Sequence, residues 1–153
     1  IHSYNVAKII VGADEPYQQQ DNQSITIRNF QNEKFLIDYS LRLKNWDITS
    51  EEVTINGFKC FKAINKIKNN RSGNENTITA WFSPDIPASY GPLGFGGLPG
   101  LIVELDYKYC IFKLEKLTLN LEDIKVEIME NYPLISAEEY VSKIRSSRMV
   151  TPD

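Results

Sequence analysis

The sequence predicts a mainly β fold: a curved antiparallel sheet or half-open barrel with a helix at the C-terminal end. Residues 24–30 alternate between apolar and polar side chains, which is typical of a strand with one solvated face. Asn56-Gly57 separates two segments rich in β-forming residues, as the tight turn of a hairpin does. A helical pattern follows only near the end of the chain, from Ser136.

The length and composition fit a single domain spanning residues 1–153. Of the 153 residues, 42% are hydrophobic and 24% are charged, which is ordinary for a globular protein. A chain of this size buries roughly 70% of its unfolded surface, which is enough for a hydrophobic core.

Extended segments follow one another along most of the chain. Each is rich in β-branched or aromatic residues and is bounded by polar residues, Gly or Pro. Residues 17–23 are polar, so we expect a surface loop there. The predicted strands are residues 4–11, 24–30, 34–39, 46–49, 52–55, 58–67, 77–82, 101–105, 109–114, 117–119 and 124–128.

The segment from Pro84 to Pro99 departs from this pattern, because it holds four prolines and four glycines. Neither a helix nor a strand tolerates that density, since Pro lacks a backbone donor and Gly costs conformational entropy. Long loops inside compact domains are uncommon and often functional. The apolar residues of this loop predict that it packs on the core: Ile86, Tyr90, Leu93, Phe95 and Leu98.

The predicted helix begins after Ser136, which forms a capping-box pattern with Glu139. Its expected apolar stripe consists of Tyr140, Val141 and Ile144.

Charge and ligand chemistry exclude several classes of function. The net charge of −3 argues against nucleic-acid binding, which needs a surplus of Lys and Arg. No stretch approaches the ~20 apolar residues of a transmembrane helix. His2 is the only imidazole and lies at a terminus where chains fray, which argues against Ser-His and Cys-His hydrolases. One His and two Cys are too few for a structural zinc site, so neither a metal nor a cofactor is expected.

Cys60 and Cys110 both fall in predicted strands. Buried thiols that act as small apolar side chains are the commoner role of strand cysteines. A disulfide between them stays open as an alternative, because the sequence does not fix their Cα separation.

Aromatic residues in strands belong more often to the core than to a ligand site. The Pro/Gly-rich loop is the exception, because aromatics beside such turns cannot all be interior ladder residues. Asp85 and Glu104 flank this loop and are the candidate carboxylates of an alternative, hydrolytic function. The candidates for contact with a ligand or partner are Trp81, Tyr90, Leu93, Phe95 and Leu98.

The run Gly97-Leu98-Pro99-Gly100-Leu101-Ile102 resembles the six-residue signature for which the GLPGLI family is named. The resemblance covers most of residues 24–145 and implies secreted or cell-envelope proteins of Bacteroidetes-type bacteria, made with a signal peptide. It implies no established biochemical activity. Family members have more sequence upstream, so this chain is expected to lack an N-terminal segment. Further stretches resemble the family's pattern in its order: residues 46–49, 55–63, 78–87, 91–96 and 133–140.

The signature is expected to be architectural, with a binding role as the alternative. Pro99 and its flanking glycines would fix a sharp turn that delivers Leu101 into the sheet, making a rigid crossover between two central strands.

Together with the family resemblance, these observations predict a non-enzymatic protein that is periplasmic, associated with the outer membrane or secreted. We expect it to bind an apolar ligand or to dock on an outer-membrane partner such as a transporter. Two alternatives stay open. One is a carboxylate-dependent hydrolase that uses Asp85 and Glu104, and the other is a structural subunit of an envelope assembly.

Overall fold

The structure is a computed structural model that describes residues 13–69, 72–118, 129 and 131–148. His2 and the predicted strands at 4–11 and 124–128 lie outside the described residues. The strands are β1 Tyr17–Gln20, β2 Gln23–Phe30, β3 Glu33–Asp38, β4 Asp47–Ile55, β5 Phe58–Lys68, β6 Glu75–Ser83, β7 Leu101–Tyr107, β8 Cys110–Lys113 and β9 Leu134–Ser136, followed by helix α1, Ala137–Arg148.

The described strands form two sheets and no closed barrel. The first sheet has the order β1-β2-β3-β9 and the second the order β4-β5-β6-β7-β8. Neighbouring strands are antiparallel except β3 and β9, which are parallel. The predicted mainly β class with a C-terminal helix is confirmed. The strands divide into two sheets at the 3-10 turn Ser40–Leu43, which follows β3. The next strand, β4, does not pair with β3 and instead begins the second sheet.

The β4–β5 hairpin turns at Asn56-Gly57, as the sequence predicts. Both residues have positive φ, 49° and 81°, which is the turn geometry that Asn-Gly favours. Along the next pairing, Ala63 of β5 lies opposite Ala80 of β6, and both are fully buried. Their small side chains belong to the same buried cluster as residues of the Pro/Gly-rich loop.

The prediction of a surface loop at residues 17–23 is wrong, because residues 17–20 form strand β1 and Gln23 begins β2. Tyr17 pairs with Thr26 and Gln20 with Gln23, so β2 satisfies the backbone of this polar segment. Pairing with a strong neighbouring strand overrides the low β propensity of glutamine.

Helix α1 begins where the capping pattern predicts. The Ser136 hydroxyl accepts a hydrogen bond from the Glu139 amide at 3.0 Å. Tyr140 faces the first sheet, with its ring edge-on to Phe30 at 6.5 Å. The prediction that Val141 belongs to the apolar stripe is wrong, since its side chain is 42% exposed. Among the described residues, no helix is both long and apolar enough to cross a bilayer.

The disulfide considered for Cys60 and Cys110 is not formed, and both thiols are free. Cys60 lies in β5 and Cys110 in β8, three strand spacings away in the second sheet. Strands lie about 4.8 Å apart, so this separation is on the order of 14 Å. A disulfide tolerates a Cα separation of no more than about 7 Å.

The two thiols are expected to differ sharply in reactivity. Cys60 is fully buried, whereas Cys110 is partly exposed. Burial raises the pKa of the Cys60 thiol, and the carboxylates of Asp85 and Glu104 raise it further. Because the thiolate is the reactive form, iodoacetamide should modify Cys110 first and Cys60 only after unfolding. Mass spectrometry of tryptic peptides measures both rates, and equal rates in the native protein would contradict the structure.

Candidate functional site

The loop that joins β6 to β7, residues 84–100, packs inward; we call it the signature loop. Leu93, Phe95 and Leu98 are 6%, 0% and 1% exposed. All three belong to one buried cluster with residues of β6 and β7. These three predicted ligand contacts therefore lie in the hydrophobic core and are not available to a ligand.

The four successive carbonyls of residues 93–96 each accept a hydrogen bond from a distant side chain. We call this set the carbonyl clamp. Every donor comes from the first sheet or from the segment between the two sheets, so the clamp joins the sheets through the loop. A buried carbonyl without a partner costs about 1–3 kcal/mol. The pairs are Arg42 to Leu93 (2.6 Å), Ser24 to Gly94 (2.8 Å), Gln19 to Phe95 (2.7 Å) and Trp46 to Gly96 (2.8 Å).

Arg42 is a buried member of the clamp, only 9% exposed. Its guanidinium carbon lies 4.0 Å from the ring centroid of Tyr39 and 4.9 Å from that of Phe95. The ring centroids of Tyr107 and Tyr17 lie 5.6 and 5.9 Å from the same carbon, and we call these four rings the aromatic cage. A desolvated cation over aromatic rings is stabilised by about 2 kcal/mol. Arg42 therefore holds both sheets and the signature loop together.

Tyr17 contributes both to this aromatic cage and to a surface cleft. Burial raises the pKa of its phenol above the ordinary value of 10.0, and the Arg42 guanidinium partly offsets the rise. The phenol is thus neutral at physiological pH. Its ring lies 6.1 Å from that of Tyr39.

The signature residues form the end of the loop and the start of β7. The Gly97 amide donates to the Ser89 carbonyl at 3.0 Å, and the Gly100 amide donates to the Leu98 carbonyl at 2.8 Å. The Leu101 amide then donates to the Ile86 carbonyl at 3.0 Å. The turn at Pro99 therefore delivers Leu101 and Ile102 into β7, which is the architectural role the sequence predicts.

Tyr90 is the predicted contact residue that stands at the surface beside a cleft, and it is 50% exposed. A first cleft of about 360 Å³ lies on one side and a second of about 490 Å³ on the other. Both clefts share Tyr90 and Gly91, and together we call them the Tyr90 groove. The first is lined also by Pro16, Tyr17, Gln18, Gln19 and Met129, and the second by Pro92, Leu101, Ile102, Val103, Ile111, Phe112, Lys113 and Leu114.

The position of the groove follows from the sheet order. β1 is an edge strand of the first sheet and β8 an edge strand of the second. The first cleft includes residues of β1 and the second includes residues of β8, so the groove runs between the two edges across Tyr90. Sequence reasoning missed the residues of these edges. The alternation of residues along β8 places Ile111 and Lys113 on one face, and this pattern could have predicted that the two side chains lie together.

Trp81 of β6 pairs with Glu104 of β7, which pairs with Lys113 of β8, but its ring does not line the groove. It alternates with Ala80 and Phe82, which are buried, so its half-buried ring points to the other face of the second sheet. The Lys62 ammonium lies 6.0 Å from the ring centroid. Trp81 lines neither cleft.

The two carboxylates considered for hydrolysis lie outside the groove. Asp85 is exposed, and Glu104 forms an ion pair with Lys113 at 3.6 Å. Neither residue lines either cleft of the groove. Across the described ranges, no group of three His, Cys, Asp or Glu side chains is placed to hold a metal ion.

Comparison with known proteins places one similarity on the segment that carries the signature loop. A family model described as a protein of unknown function (Porph_ging) matches residues 64–104. Neither the curated proteins nor the solved structures contain a match to the chain. The matched segment runs from β5 to β7, so the similarity includes the whole signature loop.

Proposed function

We propose that this chain is a non-enzymatic protein of the GLPGLI type, secreted or held in the cell envelope, that binds an apolar ligand in the Tyr90 groove. One observation carries the proposal. A half-exposed aromatic side chain stands between two clefts whose lining is mainly apolar. Binding sites are typically concave, apolar and about 300–1,000 Å³ in volume, and both clefts fall in that range.

The surroundings of Tyr90 support a preformed site. The Gln19 amide bridges the loop, donating to the Phe95 carbonyl at 2.7 Å and accepting from the Gly91 amide at 3.4 Å. The Tyr90 carbonyl accepts from the Ile102 amide at 3.0 Å, which ties Tyr90 to β7. A site that is ordered before binding loses less conformational entropy when a ligand binds.

A neutral apolar dye tests the proposal without assuming a headgroup. Purified protein should bind Nile red saturably, with a rise in dye fluorescence. Tyr90→Asp should weaken this binding at least tenfold, because it places a charge on the apolar wall shared by both clefts. Tyr109→Asp is the matched control, since Tyr109 is fully exposed and lines neither cleft. Absence of dye binding, or equal losses in both variants, would contradict the proposal.

A further inference from the structure

The two clefts of the Tyr90 groove differ in the polar groups they offer a ligand. In the first cleft, Gln18 accepts a hydrogen bond from the Met129 amide at 2.8 Å, and both ends of the Gln19 amide bond the signature loop. These side chains are used within the protein, so the first cleft presents mainly apolar contact surface to a ligand.

The second cleft combines apolar walls with a single charged side chain, Lys113. Nine of its ten lining residues carry no charge. Ile111, two positions earlier on β8, is 58% exposed and shares the strand face of Lys113. One cation beside an apolar trough is the pattern expected for an amphiphile with one anionic end.

The existing partner of Lys113 leaves that cation accessible. Lys113 and Glu104 approach to 3.6 Å, longer than the about 2.7–2.9 Å of a charge-assisted hydrogen bond. The Lys113 side chain is 65% exposed, and exposed pairs of this kind contribute little. An ammonium has three donors, so Lys113 can bond an incoming carboxylate.

We propose that the groove binds a single-chain fatty acid, with its carboxylate on Lys113 and its acyl chain along the second cleft toward Tyr90. This inference rests on the proposed function and names its ligand class. Charge complementarity fixes the orientation: the chain lies on Leu101, Ile111 and Tyr90, and the headgroup stays at the solvated rim.

The test compares parinaric acid, a fluorescent fatty acid, with its uncharged methyl ester on the full chain at about pH 8. Wild-type protein should bind the acid about two- to fivefold tighter than the ester, the value of one exposed ion pair. Lys113→Met should remove this preference by weakening the acid alone. Lys68→Met is the control, because it deletes an exposed cation that lines neither cleft.

A second variant is expected to raise the affinity for the acid, and misfolding would not cause such a rise. Glu104→Gln removes the carboxylate that competes for Lys113, so it should tighten acid binding and leave ester binding unchanged. Equal affinities for acid and ester, or a preference that survives Lys113→Met, would overturn the fatty-acid assignment while Nile red binding still supports an apolar site. Absence of binding by either lipid and by the dye would overturn both proposals.

Discussion

Gly97→Ala should prevent stable folding or lower the free energy of unfolding by more than about 4 kcal/mol. Gly97 has a φ of 77°, and a Cβ there would overlap the Leu43 backbone carbonyl. The left-handed conformation alone costs a non-glycine residue roughly 1–2 kcal/mol. The overlap adds more, because a main-chain carbonyl cannot move aside as a flexible side chain can. Urea denaturation followed by circular dichroism measures the loss.

Gly73→Ala is the matched control for this prediction. Gly73 has nearly the same φ, 71°, but no atom lies within 4 Å of the position its Cβ would take. It should therefore lose only the conformational cost of roughly 1–2 kcal/mol. Similar losses at the two positions would show that the close contact between Gly97 and Leu43 has no energetic role.

Arg42→Met should lower the free energy of unfolding by about 3–5 kcal/mol. The variant leaves the Leu93 carbonyl buried without its partner, at about 1–3 kcal/mol. It also removes the cation from the aromatic cage, where the stabilisation is about 2 kcal/mol. The midpoint of urea denaturation, with an unchanged slope, reports the difference.

Two further variants separate charge, geometry and surface effects at this position. Arg42→Lys keeps a cation but loses the planar guanidinium, so it should fall between wild type and Arg42→Met. Arg145→Met deletes an exposed Arg of α1 and should change stability by no more than about 0.5 kcal/mol. If Arg42→Met matched Arg145→Met, the carbonyl clamp would not contribute to stability.

Local chemistry made much of the fold predictable. Asn56-Gly57 specifies its own turn, Ser136 caps the helix three residues before Glu139, and the prolines and glycines of residues 84–99 exclude an α-helix or a regular strand. Each of these signals acts within a few residues, so a single sequence is enough to reveal it. The division into two sheets was not predictable in this way, because it depends on which distant strands pair.

The candidate site was less predictable than the fold, because it too depends on contacts between residues that are distant in the sequence. Leu93, Phe95 and Leu98 are apolar in a loop, and that pattern does not separate a buried anchor from an exposed contact. Only the tertiary structure shows which side each faces. Arg42 carried no local sign of its role, since its partner carbonyl lies 51 residues later in the chain.

The carbonyl clamp has a consequence for how the chain acquires its structure. Its donors precede their acceptors by 50 to 76 residues. Until residues 93–96 arrive, Arg42 has neither its carbonyl partner nor the ring of Phe95, so a fragment that ends before the signature loop should not stabilise the first sheet. Contacts between such distant residues slow folding, because loop closure costs entropy before the contacts form. The N-terminal part should therefore remain unfolded during synthesis until the signature loop has been made. Both sheets should then form in one cooperative transition.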